Sequence, residues 1–195
     1  MNVPNKLTVS RFALTVLFLV AVFFEAPYHD TIALFLFSAA SLTDYFDGMI
    51  ARRDKLITNF GILMDPLADK ILVCSAFIAF VGRGWLPAWM AVIVVARELA
   101  ITGLRLLAAS KNLVLAAEGF GKHKTVSQIV AILSMLVYHS YRQWGSFGQS
   151  LFGIPAGKPW VMRFTEIMLD VAVALTFTSG AIYLWRNRRL YLADI

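Results

Sequence analysis

Asp44-Tyr45-Phe46-Asp47-Gly48-Met49-Ile50-Ala51-Arg52, followed after eight residues by Gly61-Ile62-Leu63-Met64-Asp65-Pro66-Leu67-Ala68-Asp69, is the stretch on which the fold turns. Five of the chain's twelve acidic residues, Asp44, Asp47, Asp54, Asp65 and Asp69, fall within these 26 positions. At about 100° per residue, Asp44 and Asp47 stand roughly 60° apart on a helix, and Asp65 and Asp69 roughly 40° apart on the next. The connection between them is a basic segment of about ten residues, short enough to make the two helices antiparallel neighbours. Both carboxylate pairs are therefore expected at the same end of a helix pair.

Outward from this stretch the chain is apolar. Of 195 residues, 59% belong to the hydrophobic set and only 15% are charged, against about 25% charged in soluble domains. That leaves too little polar surface to cover a globule and excludes a disordered chain. Apolar runs stand at about residues 12–24, 31–50, 62–82, 86–109, 125–141 and 161–185. At about 20 residues per span, they predict an all-α integral membrane protein of six transmembrane helices, preceded by a short N-terminal interfacial segment. No room remains for a second domain, so residues 1–195 form one unit. A cleaved signal peptide is disfavoured, because no small-x-small site follows the first run at Phe23-Phe24-Glu25-Ala26-Pro27.

Lys and Arg sort by side. With the N-terminus inside, eleven fall in inner segments and four (Arg83, Arg142, Lys158 and Arg163) in outer ones, which puts both termini in the cytoplasm. The net charge of +6 reads as orientation and attraction to anionic headgroups, with no nucleic-acid partner. Residues 142–160 read as an outer loop with Trp144 and Trp160 as interfacial anchors. The single cysteine, Cys74, reads as a small packing residue.

Carboxylates at the ends of membrane helices are costly unless paired or metal-bound. Four of them from two helices make a hard, all-oxygen environment suited to Mg²⁺ or Mn²⁺. Two such ions about 3.5–4 Å apart would clamp the attacking and leaving oxygens of a phosphoryl transfer. Gly48, Ala51 and Gly61 offer a face of small residues for close approach. Asp65 before Pro66 also fits a helix N-cap, Asp54 a solvated loop charge, and Lys70 a side chain reaching out toward the headgroups. Arg97 and Arg105, inside an apolar run, require a polar cavity. Lys122 and Lys124 stand near the start of the fifth helix, where the backbone favours anions. No Ser-His or Cys-His pairing is visible; His29, His123 and His139 are scattered, and His123 reads as solvated.

Residues 44–69 match, at all eight fixed positions, the signature D-x-x-D-G-x-x-A-R-x(8)-G-x-x-x-D-x-x-x-D, and on these residues the chain resembles the CDP-alcohol phosphatidyltransferases. Asn5 to Arg11, Arg97-Glu98 through Thr102 to Arg105, and Gly121 to Gln128 are similar to segments of the bacterial branch whose acceptor is sn-glycerol 3-phosphate. Beyond about residue 130 no motif is evident. The resemblance implies a homodimer in the bacterial cell (inner) membrane, with a site open to cytoplasm and bilayer. It implies the reaction of CDP-diacylglycerol with sn-glycerol 3-phosphate to give phosphatidylglycerophosphate and CMP. In that reading Asp44, Asp47, Asp65 and Asp69 hold Mg²⁺ or Mn²⁺, and Asp69 is also the base. Asp44, Gly48, Ala51, Arg52 and Gly61 take CDP-diacylglycerol. Arg97, Arg105, Lys122, Lys124, Thr8 and Arg11 take glycerol 3-phosphate, with Glu98 a partner to the arginines. The alternatives are a cardiolipin, phosphatidylserine or phosphatidylinositol-phosphate synthase of the same superfamily, an intramembrane prenyltransferase, or a transporter. The basic cluster favours an acceptor that carries a phosphate; a prenyltransferase resembles a longer chain with more spans, and a transporter would not explain four carboxylates gathered at one membrane face with Gly and Arg at signature spacing.

Overall fold

Helices end where the apolar runs meet backbone breakers. The computed structural model describes the backbone of residues 3–54, 59–111, 113, 115, 120–153 and 159–192, and within it the side chains other than those of 3–7, 44–63, 65, 66 and 120–122. Helix α1 spans Val3–Phe23, and α2 spans His29–Asp54 after Pro27. Helix α3, Asn59–Gly82, stops at Gly84, whose φ of 70° suits a residue without a side chain. The Gly84 N–H donates to the Val81 carbonyl at 3.0 Å and the Trp85 N–H to that of Phe80 at 2.8 Å, the paired bonds of a Schellman stop. Pro87 then leads into α4, Ala88–Ser110. Helix α5 is Phe120–Ser140, followed by a 3₁₀ turn at Tyr141–Trp144 and the short α6, Gly145–Phe152. Pro159 precedes α7, Trp160–Arg186, and α8 covers Arg188–Leu192. Among the described residues there is no strand.

The six long helices pack in a ring. In order around it, α1 lies on α2, α2 on α5, α5 on α7, α7 on α4, α4 on α3, and α3 back on α1. Two layers differ sharply in chemistry. Toward one end the interior is a dry cluster that includes Phe18, Phe37, Phe77, Phe80, Ile132 and Leu136, with the Phe18 and Phe37 rings 5.6 Å apart. Toward the other end the interior includes buried polar side chains, Thr8 and Arg11 on α1, Glu98 on α4, Lys124 and Gln128 on α5, and Thr176 on α7, beside a small apolar cluster of Ile101, Leu104 and Tyr183. Gln128 donates to Thr176 across the α5–α7 contact at 2.9 Å. The outside is apolar, with Phe35, Ile78, Val92, Leu99, Leu106 and Phe177 all more than half exposed.

At the apolar end, the 3₁₀ turn is latched to the start of α2. Gln143 donates to Asp30 at 3.2 Å and accepts from the Thr31 hydroxyl at 2.8 Å, and the Trp144 indole donates to Thr31 at 3.0 Å.

Several expectations change. Helices α1, α2 and α5 outrun their apolar runs, because their charged ends are helical too. The N-terminal segment expected at the interface is helical and continuous with α1 from Val3 onward. Residues 142–160, expected as a loop, include α6, and Trp144 is spent on an internal hydrogen bond; residues 154–158 of that loop lie outside the described residues. Asp65-Pro66 does not open a helix, since α3 begins six residues earlier at Asn59. Pro66 has no N–H to offer the carbonyl of Ile62, so the ladder lacks one bond there. Cys74 is half-buried, not enclosed. Among the described residues α7 alone is long and apolar enough by composition to cross a bilayer, and Thr8–Phe23 is a shorter apolar stretch.

Candidate active site

The signature is split between two helices. Asp44, Asp47, Gly48, Ala51 and Arg52 lie in the second half of α2, and Gly61, Asp65 and Asp69 in the first half of α3. Side chains of all but Asp69 lie outside the described residues, as does that of Lys122 on α5; Asp69 is half-buried. Both helices pack against α1 and against each other. The two aspartate pairs are thus on adjoining helices at the polar end of the ring. The donor set, four carboxylates with neither sulfur nor imidazole among the signature positions, fits a hard divalent cation. Among the described residues no group of three or more His, Cys, Asp or Glu forms a metal cluster.

A group of cations stands on α4 and α5. Glu98, 5% exposed, accepts from Lys124, itself 5% exposed, through Oε1. The same oxygen lies 3.4 Å from Nη1 of Arg97. Nε of Arg97 is buried without a hydrogen-bond partner among the described residues. A buried donor left open in this way costs free energy until an acceptor fills it. Its stem passes so close to Gly180 of α7 that a Cβ at that position would stand 2.7 Å from Arg97 Cγ. Glycine at 180 therefore makes the channel through which the arginine runs.

Arg105 lies eight residues further along α4, about 12 Å along its axis. It is held toward α7, with Nε 3.5 Å from the Tyr183 hydroxyl and the guanidinium 5.9 Å from that ring's centre. Thr8 and Arg11 are fully buried on α1, which packs on α2 and α3, the aspartate-bearing helices. The residues expected to take the acceptor thus divide into a set on α4 and α5 and a pair on α1.

Lys70 corrects the sequence reading. Instead of reaching out toward headgroups, its half-buried ammonium donates to the Thr102 hydroxyl of α4. Thr102 in turn donates to the Glu98 carbonyl at 2.6 Å. Glu98, Arg105, Arg97 and Asp69 all lie within electrostatic reach of Lys70, and the two carboxylates supply the inward attraction. Thr102 belongs to a segment that sequence reading had singled out, without a role of its own. Tyr183 carried no such signal, since one aromatic in an apolar helix is indistinguishable from packing. His123 is exposed, as expected, and His139 stacks on Trp85 at 3.7 Å in the apolar half, away from the site.

Comparison with known proteins gives a consistent result. Residues 1–178 match the CDP-alcohol phosphatidyltransferase family. The chain is 36% identical over 198 aligned residues to the CDP-diacylglycerol–glycerol-3-phosphate 3-phosphatidyltransferase of Bacillus subtilis, covering 95% of each. It is 35% identical to a probable phosphatidylglycerophosphate synthase of Mycobacterium tuberculosis, covering 96% of this chain and 82% of that one. A Rickettsia bellii protein with the same name as the Bacillus one is 32% identical, with 93% of each covered.

Proposed function

Because the chain belongs to the CDP-alcohol phosphatidyltransferase family, we propose that it transfers the phosphatidyl group of CDP-diacylglycerol to sn-glycerol 3-phosphate, giving phosphatidylglycerophosphate and CMP. Its near full-length relatives carry names for this reaction. The observation that carries the acceptor assignment is the convergence of half-buried Arg97 and buried Lys124 on one carboxylate, Arg97 Nε having no hydrogen-bond partner among the described residues. A serine or simple alcohol acceptor has no need of such a group; a phosphate does.

In this reading the primary hydroxyl of glycerol 3-phosphate attacks the phosphorus that bears the diacylglycerol. The bond from that phosphorus to the CMP oxygen breaks, and CMP leaves. Asp69 takes the proton from the attacking hydroxyl. Asp44, Asp47, Asp65 and Asp69 would hold Mg²⁺ or Mn²⁺, two ions per site, whose chemistry is to neutralise the diphosphate and the departing charge. Gly48, Ala51, Arg52 and Gly61 line the nucleotide side, while Arg97, Arg105, Lys122 and Lys124, with Thr8 and Arg11, orient the acceptor. Direct displacement is the expected course, since no Ser-His or Cys-His pairing that would suggest a covalent intermediate is visible in the sequence.

The same reading places the chain in a bacterial cell membrane as a homodimer, spanning it with the six long helices, with both termini and the site toward the cytoplasm. An apolar outside around a polar half-interior supports it. The test is to incubate purified protein with CDP-diacylglycerol, Mg²⁺ or Mn²⁺ and a panel of acceptors while following CMP. Release is expected with glycerol 3-phosphate and not with serine, inositol phosphate or phosphatidylglycerol. Release with one of those instead would reassign the acceptor.

A further inference from the structure

Glu98 is the one buried carboxylate on α4 among the described residues, and three cations from three helices meet around it. Arg97 precedes it on α4 and lies on its Oε1; Lys124 reaches the same oxygen from α5; Lys70 of α3 is tied to its carbonyl through Thr102. The packing order makes this unusual. Helix α4 packs chiefly on α7 and α3, and α5 chiefly on α7 and α2, so α4 and α5 are not principal packing partners. The Glu98–Lys124 pair therefore crosses the interior of the ring.

That arrangement has a physical consequence. Where two helices pack directly, side-chain interdigitation fixes their relative position; where they do not, a lysine with four rotatable bonds has no such constraint. A cation buried in the ring must be paired to stay charged. One carboxylate oxygen shared by Arg97 and Lys124 brings their donors close together, at a spacing a phosphate can use. The Thr102 hydroxyl, donating to the Glu98 carbonyl and accepting from Lys70, ties α3 to the same turn of α4.

We propose that Glu98 is the positioning residue of the acceptor site: it holds Arg97 and Lys124 together, charged and aimed at one point, so that the phosphate of glycerol 3-phosphate meets a preformed pair. This rests on the reading of that phosphate as part of the acceptor. Glu98 does not touch the reacting atoms; it acts through the two cations. A selectivity follows. Losing it weakens binding of a phosphate-bearing acceptor and leaves the liponucleotide, held on the α2–α3 side, largely untouched.

The experiment measures steady-state CMP release by wild type, Glu98→Gln, Glu98→Asp and Glu98→Ala in detergent–lipid micelles, varying each substrate in turn. Because hydrogen bonds to charged groups are the strong ones, Glu98→Ala is expected to raise the KM for glycerol 3-phosphate by roughly ten- to a hundredfold. Glu98→Gln, which keeps the acceptor oxygen but loses the charge, falls between it and wild type, and Glu98→Asp recovers part of the loss. The KM for CDP-diacylglycerol is expected to stay within about twofold in all variants. An unchanged glycerol 3-phosphate KM overturns the proposal. So does a lowered one, which would make Glu98 a competitor for the cations, or an equal rise in both KM values, or a fall in kcat alone. If Glu98→Ala does not fold, the Gln and Asp variants decide by the same criteria. Failure of wild type to use glycerol 3-phosphate at all would instead refute the acceptor reading.

Discussion

Asp69 is the carboxylate on which the proposed chemistry depends, and it sits on α3 one residue before a lysine that faces α4. Replacing it with asparagine keeps its size and removes both its basicity and its charge. Asp69→Asn is expected to leave a folded protein with CMP release lowered by about a hundredfold or more; near-normal turnover would remove Asp69 from the role of base. Arg105 acts elsewhere, at the Tyr183 side of α4. Arg105→Ala is expected to raise the KM for glycerol 3-phosphate by roughly tenfold while that for the liponucleotide changes little. An equal effect on both would take Arg105 out of the acceptor site. At this scale the sequence singled out Arg97 and Arg105 because each is a charge in an apolar run, and Lys124 because it stands near the start of a helix. Lys70 was misread because snorkelling and inward pairing have the same one-dimensional signature. What separates them is the placement of Thr102 and Glu98 on the neighbouring helix, which only the folded chain supplies.

At the scale of elements, the α4–α7 crossing shows how a helix contact serves a side chain. Arg97 passes over Gly180, and any Cβ there would meet the arginine stem at 2.7 Å. Gly180→Ala is expected to displace Arg97 and to cost about 1–3 kcal/mol through overpacking. The loss is to be read as a lower unfolding temperature in detergent, together with a raised glycerol 3-phosphate KM. Unchanged values of both would mean that Arg97 has another route into the interior. Hydropathy located the six long helices, because their apolar centres are unbroken and Pro27, Pro87 and Pro159 stand in the connections before α2, α4 and α7. It misplaced their ends. Ala51 to Asp54 and Phe120 to Lys124 are too polar to register as span, yet the backbone stays helical through them, since helix hydrogen bonding does not depend on side-chain polarity. The short α6 was missed for a related reason: eight residues containing two glycines carry little periodic signal.

On the scale of the whole molecule, the ring divides into a dry half and a polar half, and the chemistry is confined to the second. Composition foretold an all-helical chain, and the signature placed its two acidic pairs on successive helices. Neither gave the order in which the helices close the ring, which depends on packing between residues far apart in sequence. That order places α2 and α3 beside α1 and sets Glu98 and Lys124 across an interior space. The proposed reaction joins its two substrates there, the acceptor phosphate on the cations and the diphosphate on the aspartate side. The most direct measurement is transfer of label from ³²P-glycerol 3-phosphate into the lipid phase by the purified protein. Label is expected in lipid only when CDP-diacylglycerol and Mg²⁺ or Mn²⁺ are both present, one CMP appearing per label transferred, with transfer abolished by a chelator. Lipid labelling without CDP-diacylglycerol, or CMP release with no label entering lipid, would contradict the account.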